Sequence, residues 1–211
     1  MTDIWARYYD AAGDEPRETL LGALEGFGRD ARAAGDLFAV DLGCGGGRDT
    51  AELLRRGWRV LAIDSQTEAI ERLLRRPDLD GDGNARLETQ VASFEDAVWP
   101  HADLVNSSFA LPFCPPEHFG ALWERIVQSL RPGGRFCGQL FGDRDEWASR
   151  PPAAFKDWAS PPAMSFHTRE EVEELLSAFD VERLDEIDQD GATAVGDQKH
   201  WHLFHIVARK R

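Results

Sequence analysis

The stretch VDLGCGGGRDT, Val40 to Thr50, limits what this chain can fold into more than any other. Glycines stand at every second position, Gly43, Gly45 and Gly47, with the small Cys44 and Gly46 between them. The apolar run LFAVD precedes the loop, and RDTAELLRRG follows it at helical spacing, closed by Gly57. A buried strand, a glycine turn and a helix, in that order, open a sheet that receives its ligand against bare backbone.

The same alternation runs on. WRVLAID predicts a second strand, ARLETQVA a third, ADLVNSS a fourth and RFCGQLFG a fifth, the last entered through an RPGG turn. Between them SQTEAIERLLRR predicts a helix with a Ser65–Glu68 capping box, and PEHFGALWERIVQSL a helix with Phe119, Leu122, Trp123, Ile126 and Leu130 inward. TLLGALEGF, ahead of the first strand, puts Leu20, Leu21, Leu24 and Phe27 on one helical face. TREEVEELLSAF carries a second capping box, Thr168 with Glu171, and VERLDEID and HLFHIVAR complete the strands. Short apolar strands alternating with helices predict a Rossmann-like doubly wound α/β fold. The expected sheet has seven strands, mostly parallel with the last antiparallel, and helices on both faces. The 211 residues suit one domain, with an N-terminal helical cover at 1–35 and an aromatic, proline-rich, lid-like insertion at 143–167.

The loop does not suit phosphate. The dinucleotide fingerprint wants glycine at position 48, where this chain has Arg48, and a phosphate loop wants a lysine that is absent. Asp41 before the loop and Asp49 after it set the stage for a cation. Asp64, ending the second strand, is placed to accept from both hydroxyls of a ribose.

VDLGCGGGRDT, AID ending at Asp64, ADLVNSSFALPF and LRPGG together resemble the class I S-adenosylmethionine-dependent methyltransferases, from about Phe38 to Phe141. The closing HWHLFHIVARKR and the N-terminal IWARYYD are similar to the small bacterial tellurite-resistance and thiopurine branch. The resemblance implies S-adenosyl-L-methionine as cofactor. It lays the methionine part along Gly43, Cys44, Gly45 and Gly47, with Asp41 near its amino group. It gives Asp64 the ribose and puts Ser65 near the adenine. Ser93 stands where the family carries an acid for the adenine amine, so its hydroxyl or Glu95 must serve, while Phe94 offers its backbone N–H. Asn106 and Ser107 fall where the fourth strand meets the sulfonium and the acceptor. Trp5, Tyr9, Phe113, Trp147, His167 and His200 are candidates for the acceptor pocket, and no catalytic base is assigned.

Composition narrows the partners. A net charge of −14 disfavours nucleic acid and anionic membranes. No apolar run approaches the roughly 18–20 residues of a membrane span, and the N-terminus does not read as a secretory signal, so a cytoplasmic location is expected. Three cysteines without CxxC spacing predict buried thiols. The run from Asp78 has acids at Asp78, Asp80 and Asp82 and then Gly83, but Thr89 stands where a calcium loop needs glutamate, so it reads as a solvated turn. His200, His202 and His205 lack metal spacing, and no metal is expected. The expected function is in-line methyl transfer to a small-molecule acceptor. A non-catalytic S-adenosylmethionine-binding protein and a nicotinamide-dependent oxidoreductase are the alternatives.

Overall fold

The structure, a computed structural model, describes residues 4–29, 36–79, 85–150 and 163–211. Two helices, α1 (Ile4–Ala11) and α2 (Glu18–Arg29), lead into β1 (Phe38–Leu42), α3 (Arg48–Arg55), β2 (Arg59–Asp64), α4 (Thr67–Leu74) and β3 (Leu87–Val91). Then come β4 (Ala102–Ser107), α5 (Pro116–Ser129), β5 (Leu130–Gly142), the single turn α6 (Glu146–Ser149), β6 (Phe166–His167), α7 (Arg169–Leu175), β7 (Phe179–Ala192) and β8 (Gln198–Lys210).

The sheet order is β3-β2-β1-β4-β5-β8-β7, with β6 beside the end of β5. All pairs from β3 to β6 are parallel, and β8 runs antiparallel to both β5 and β7. The fold is the doubly wound one expected. The strand count is eight rather than seven, because the expected lid returns to the sheet through the two-residue β6, too short to leave a periodic signal.

Strand alternation splits the core into two layers. Phe38, Val40, Leu42 and Val105 face α5 and α7, meeting Phe119, Trp123 and Val172. Ala39, Val60, Ala62 and Leu104 face α2, α3 and α4, meeting Leu24, Leu53 and Leu73. The chain winds outward from β1 to β3 and then returns to place β4 on the other side of β1. The crevice beyond the carboxyl ends of β1 and β4 is therefore the topological switch point where such sheets bind ligands.

Three local expectations change. The Ser65–Glu68 capping box does not form: Gln66 is the N-cap of α4, with no side-chain cap. Asp64 orders this turn instead, its Oδ1 accepting from the Gln66 N–H at 2.9 Å, and Glu68 pairs with Arg72. The RPGG segment is not a turn but an irregularity inside β5, where the register with β4 shifts between Ala102 and Leu104. The last two strands run longer than their apolar cores, because antiparallel pairing continues from Phe179↔Lys210 to Ala192↔Gln198. The Thr168–Glu171 box is present. Asp80, Asp82 and Gly83 of the acidic run lie outside the described residues, as do 151–162 of the expected lid, Phe155 and Trp158 included.

Candidate functional site

The glycine loop leaves β1 through three left-handed residues: Gly43 at φ 76°, Gly45 at 53° and Gly47 at 81°. Space enforces glycine as well as backbone. A Cβ on Gly43 would stand 2.2 Å from the Ala110 Cβ, and one on Gly47 would stand 2.2 Å from Leu73 Cδ1. Tyr9 of α1 lies over Gly45, its ring 3.3 Å from where a Cβ would be. The loop is tied to the next strand by backbone bonds from Gly43 and Cys44 to the Ile63 carbonyl, and by the Gly45 N–H donating to Asp64 Oδ2 at 2.9 Å. Burial pushes the Asp64 carboxyl above its usual range, against the opposing pull of the backbone N–H groups it accepts from.

Beneath the loop lies a row set by strand register. Asp41, Asn106 and Cys137 are direct neighbours on β1, β4 and β5. Asn106 Nδ2 donates to Asp41 Oδ1 at 2.8 Å and to Asp49 Oδ2 at 3.1 Å, while its Oδ1 accepts from the Cys137 thiol at 3.2 Å. Thr50 donates to the other oxygen of Asp41, and Ser108 to Asp49 at 2.6 Å. Burial first, and then the charge of Asp49, push the Asp41 carboxyl up to about 7. All three cysteines are buried and free. Burial raises their thiols, Cys114 to about 12, so none is a poised nucleophile.

A cavity of about 1240 Å³ opens above this floor. Asp41, Gly43, Cys44, Gly45, Gly47, Asp64, Ser65, Ser93, Phe94 and Glu95 all line it. Ser93 is partly engaged, its hydroxyl donating to Asp96 at 3.1 Å. Asn106 and Ser107 do not line it: the Asn106 amide is spent on the two aspartates, and Ser107 Oγ donates to the Leu42 carbonyl at 2.8 Å. Their successors Ser108 and Phe109 line it instead. Phe109 is the one non-glycine residue with positive φ among the described residues, at 55°, and its N–H is held by Gln139 Oε1 at 2.9 Å. Strain of this kind collects at binding sites.

One end of the cavity is aromatic. Trp5, Phe113, Phe141, Trp147 and Trp201 form a continuous set of ring contacts, from Trp5–Phe113 at 4.9 Å to Trp147–Trp201 at 5.6 Å between centroids. Trp147 and Trp201 are held from behind by Lys199, whose ammonium is 3.8 Å and 3.9 Å from their ring centroids and bonded to the buried Asp145. Of the six acceptor-pocket candidates, Trp5, Tyr9, Phe113 and Trp147 line the cavity, whereas His167 and His200 do not. His167 packs 4.4 Å from Phe119. His200 sits between Asp188 and Asp190 at 2.7 Å and 2.8 Å, and these raise its pKa. Alternation along β8 explains this: Trp201 and Leu203 point inward, so His200 and His202 cannot. His202 is buried against Glu186 instead. Among the described residues no cluster of His, Cys, Asp or Glu is arranged to hold a metal ion.

The sequence did not mark the far wall. The β7–β8 hairpin overhangs the cavity, contributing Ile187, Gln189 and Gly191 to Ala194, and Tyr8 of α1 also lines it. Trp201 alone had a signal in the sequence, its place beside His200 at the start of the last strand; Leu203, which also lines the cavity, had none. Nothing local distinguishes Arg17, which also lines the cavity, from the other arginines.

Residues 39–134 match the family model of a methyltransferase domain. A carboxy-S-adenosyl-L-methionine synthase of Citrifermentans bemidjiense is 34% identical over 98 residues, 44% of this chain and 40% of that protein. The chain thus spans about two fifths of the curated relatives it matches. Among solved structures, TehB of Haemophilus influenzae superposes with TM-score 0.66 at 18% identity, covering 87% of this chain and 60% of TehB. Magnesium protoporphyrin IX methyltransferase (ChlM) of Synechocystis PCC 6803, solved with S-adenosylmethionine bound, superposes with TM-score 0.64 at 14% identity, covering 100% of this chain and 92% of that one. Residues 39–134 are thus similar to a methyltransferase domain, and the chain has the fold of these solved structures.

Proposed function

We propose that the protein transfers a methyl group from S-adenosyl-L-methionine to a small-molecule acceptor with an apolar or aromatic body. The observation that carries this reading is one continuous cavity with a nucleoside end, the glycine loop and Asp64, and an aromatic end at Trp147 and Trp201. Its volume of about 1240 Å³ exceeds the roughly 300–1,000 Å³ of a one-ligand site and suits two ligands meeting inside.

The residues fit the cofactor. The left-handed glycines admit a ligand against backbone where a Cβ would already collide. Asp64 accepts from the ribose hydroxyls with the lone pairs that Gly45 and Gln66 leave free. Asp41 and Asp49 make the floor anionic under an ammonium and a sulfonium. Ser65, Ser93, Phe94 and Glu95 border the adenine. The bound cofactor supplies a methyl group made electrophilic by its positive sulfur.

The chain's own part is alignment and exclusion of water. Phe109 and the aromatic wall orient the acceptor so that a lone pair faces the methyl carbon. A proton on the acceptor leaves to solvent, so no buried base is required for a soft nucleophile. Tyr9 over Gly45, with Tyr8 beside it on α1, narrows the opening.

The test couples release of S-adenosylhomocysteine to a panel of thiols, phenols, amines and metalloid oxyanions. Turnover with any of them supports the reading. Binding of S-adenosylhomocysteine without turnover across the panel would favour a non-catalytic binder. Tight binding of NAD in place of the thioether would refute the proposal.

A further inference from the structure

Arginines near the cavity are nearly all engaged. Arg48 donates to the Ala12 carbonyl at 2.7 Å, Arg72 pairs with Asp10 and Glu68, Arg75 with Glu71, and Arg76 with Asp14 and Asp78. Arg17 differs. Its guanidinium lines the cavity and makes no hydrogen bond or ion pair with any described residue, and its buried Nε has no partner. It lies over the Phe109 ring, 4.6 Å from guanidinium carbon to centroid. Its backbone is anchored at the cavity floor, the N–H donating to Asp49 Oδ1 at 3.0 Å.

A half-buried, unpaired cation is costly in any chain, and a fold with a net charge of −14 offers many carboxylates that could have paired it. Burial, followed by the nearby Arg48 charge, lowers Arg17 to about 10, against the weaker pull of Asp49. A guanidinium in that state binds a planar anion through two parallel charge-assisted bonds. The Phe109 ring lies against the guanidinium, and Gln139 holds the Phe109 N–H.

We propose that Arg17 is a carboxylate-binding subsite of the cavity, placed at the junction of the glycine-loop floor and the aromatic chamber. The inference rests on the methyltransferase reading above. The carboxylate has two possible sources: the methionine tail of the cofactor, or an anionic acceptor.

Calorimetry on wild type, Arg17→Gln and Arg17→Lys, with S-adenosylhomocysteine and with 5′-methylthioadenosine, separates them. Methylthioadenosine keeps the nucleoside thioether and lacks the carboxylate. If the cofactor is the source, Arg17→Gln loses roughly tenfold to a hundredfold on S-adenosylhomocysteine and nothing on methylthioadenosine, and Arg17→Lys recovers part of the loss. If the acceptor is the source, both thioethers bind Arg17→Gln as they bind wild type. The turnover assay then shows wild type preferring carboxylate acceptors over their amides, and Arg17→Gln losing that preference through KM. Unchanged thioether affinity together with unchanged carboxylate-over-amide preference would overturn the subsite. Failure of wild type to bind either thioether would instead bring down the methyltransferase reading, and this one with it. Thermal melts of both variants establish that the fold is intact.

Discussion

Gly45 donates its backbone N–H to Asp64 Oδ2 at 2.9 Å, so the glycine loop and the carboxylate that ends β2 are one structural unit. The other carboxylate oxygen, Oδ1, accepts from Gln66 at 2.9 Å and starts α4. Asp64 thus shapes the loop, the turn and the glycine-loop end of the cavity together.

Asp64→Ala should weaken S-adenosylhomocysteine binding by about 1–3 kcal/mol, the worth of charged hydrogen bonds to hydroxyls. Asp64→Asn, which keeps one acceptor oxygen, should lose less. Calorimetry reads both, and an alanine variant with wild-type affinity would remove Asp64 from the ribose.

Asp41 should make stability depend on pH with a definite sign. Its carboxyl titrates near about 7 in the fold, against about 3.9 in an unfolded chain. Between those values the folded state holds a proton that the unfolded chain has released. Stability from this group is therefore full below about pH 4 and is lost as pH rises through about 7. Asp41→Asn, which can still accept from Asn106, should remove that slope. Urea unfolding of both proteins from pH 4 to 8 checks it: their difference in free energy should drift across this window, and a constant difference would count against a raised pKa.

Gly47→Ala and Gly57→Ala separate backbone strain from crowding. Both glycines have φ 81°, but a Cβ on Gly47 would meet Leu73 at 2.2 Å, whereas one on Gly57 would meet nothing within 4 Å. Gly57→Ala should cost about 1–2 kcal/mol for the left-handed backbone. Gly47→Ala should cost about 1–3 kcal/mol more for overpacking. Chemical denaturation of the two variants measures the gap, and equal costs would argue that Leu73 yields freely.

Lys199 and Asp145 are both buried and paired with each other. Lys199→Met strands the carboxylate with only the backbone N–H groups of Trp147 and His202. It should cost about 3–5 kcal/mol. Lys199→Met combined with Asp145→Asn should recover part of that in the same unfolding assay. A single variant as stable as wild type would show that the aromatic box, not the ion pair, holds Trp147 and Trp201.

The sequence by itself determined the sheet that carries the site and the glycine-loop end of the cavity. Those features are local: alternation along one strand, three glycines in one turn, an acid at the end of the next strand. Periodicity and left-handed turns are set by neighbouring residues, so a linear reading sees them. One local signal misled because another local contact replaced it: Asp64, two residues before Gln66, took over the turn assigned to Ser65 and Glu68. Tertiary structure alone decided the aromatic end. Trp5, Phe109, Trp147 and Trp201 come from four separate elements, and their meeting depends on the overhang of the β7–β8 hairpin and the return of α1 across the opening. It also turned Asn106 down to the aspartates and His200 out to Asp188 and Asp190. Which of two alternating neighbours enters a cavity is fixed by the face that the sheet buries. Likewise, whether an arginine such as Arg17 finds a partner depends on carboxylates brought near it by the fold.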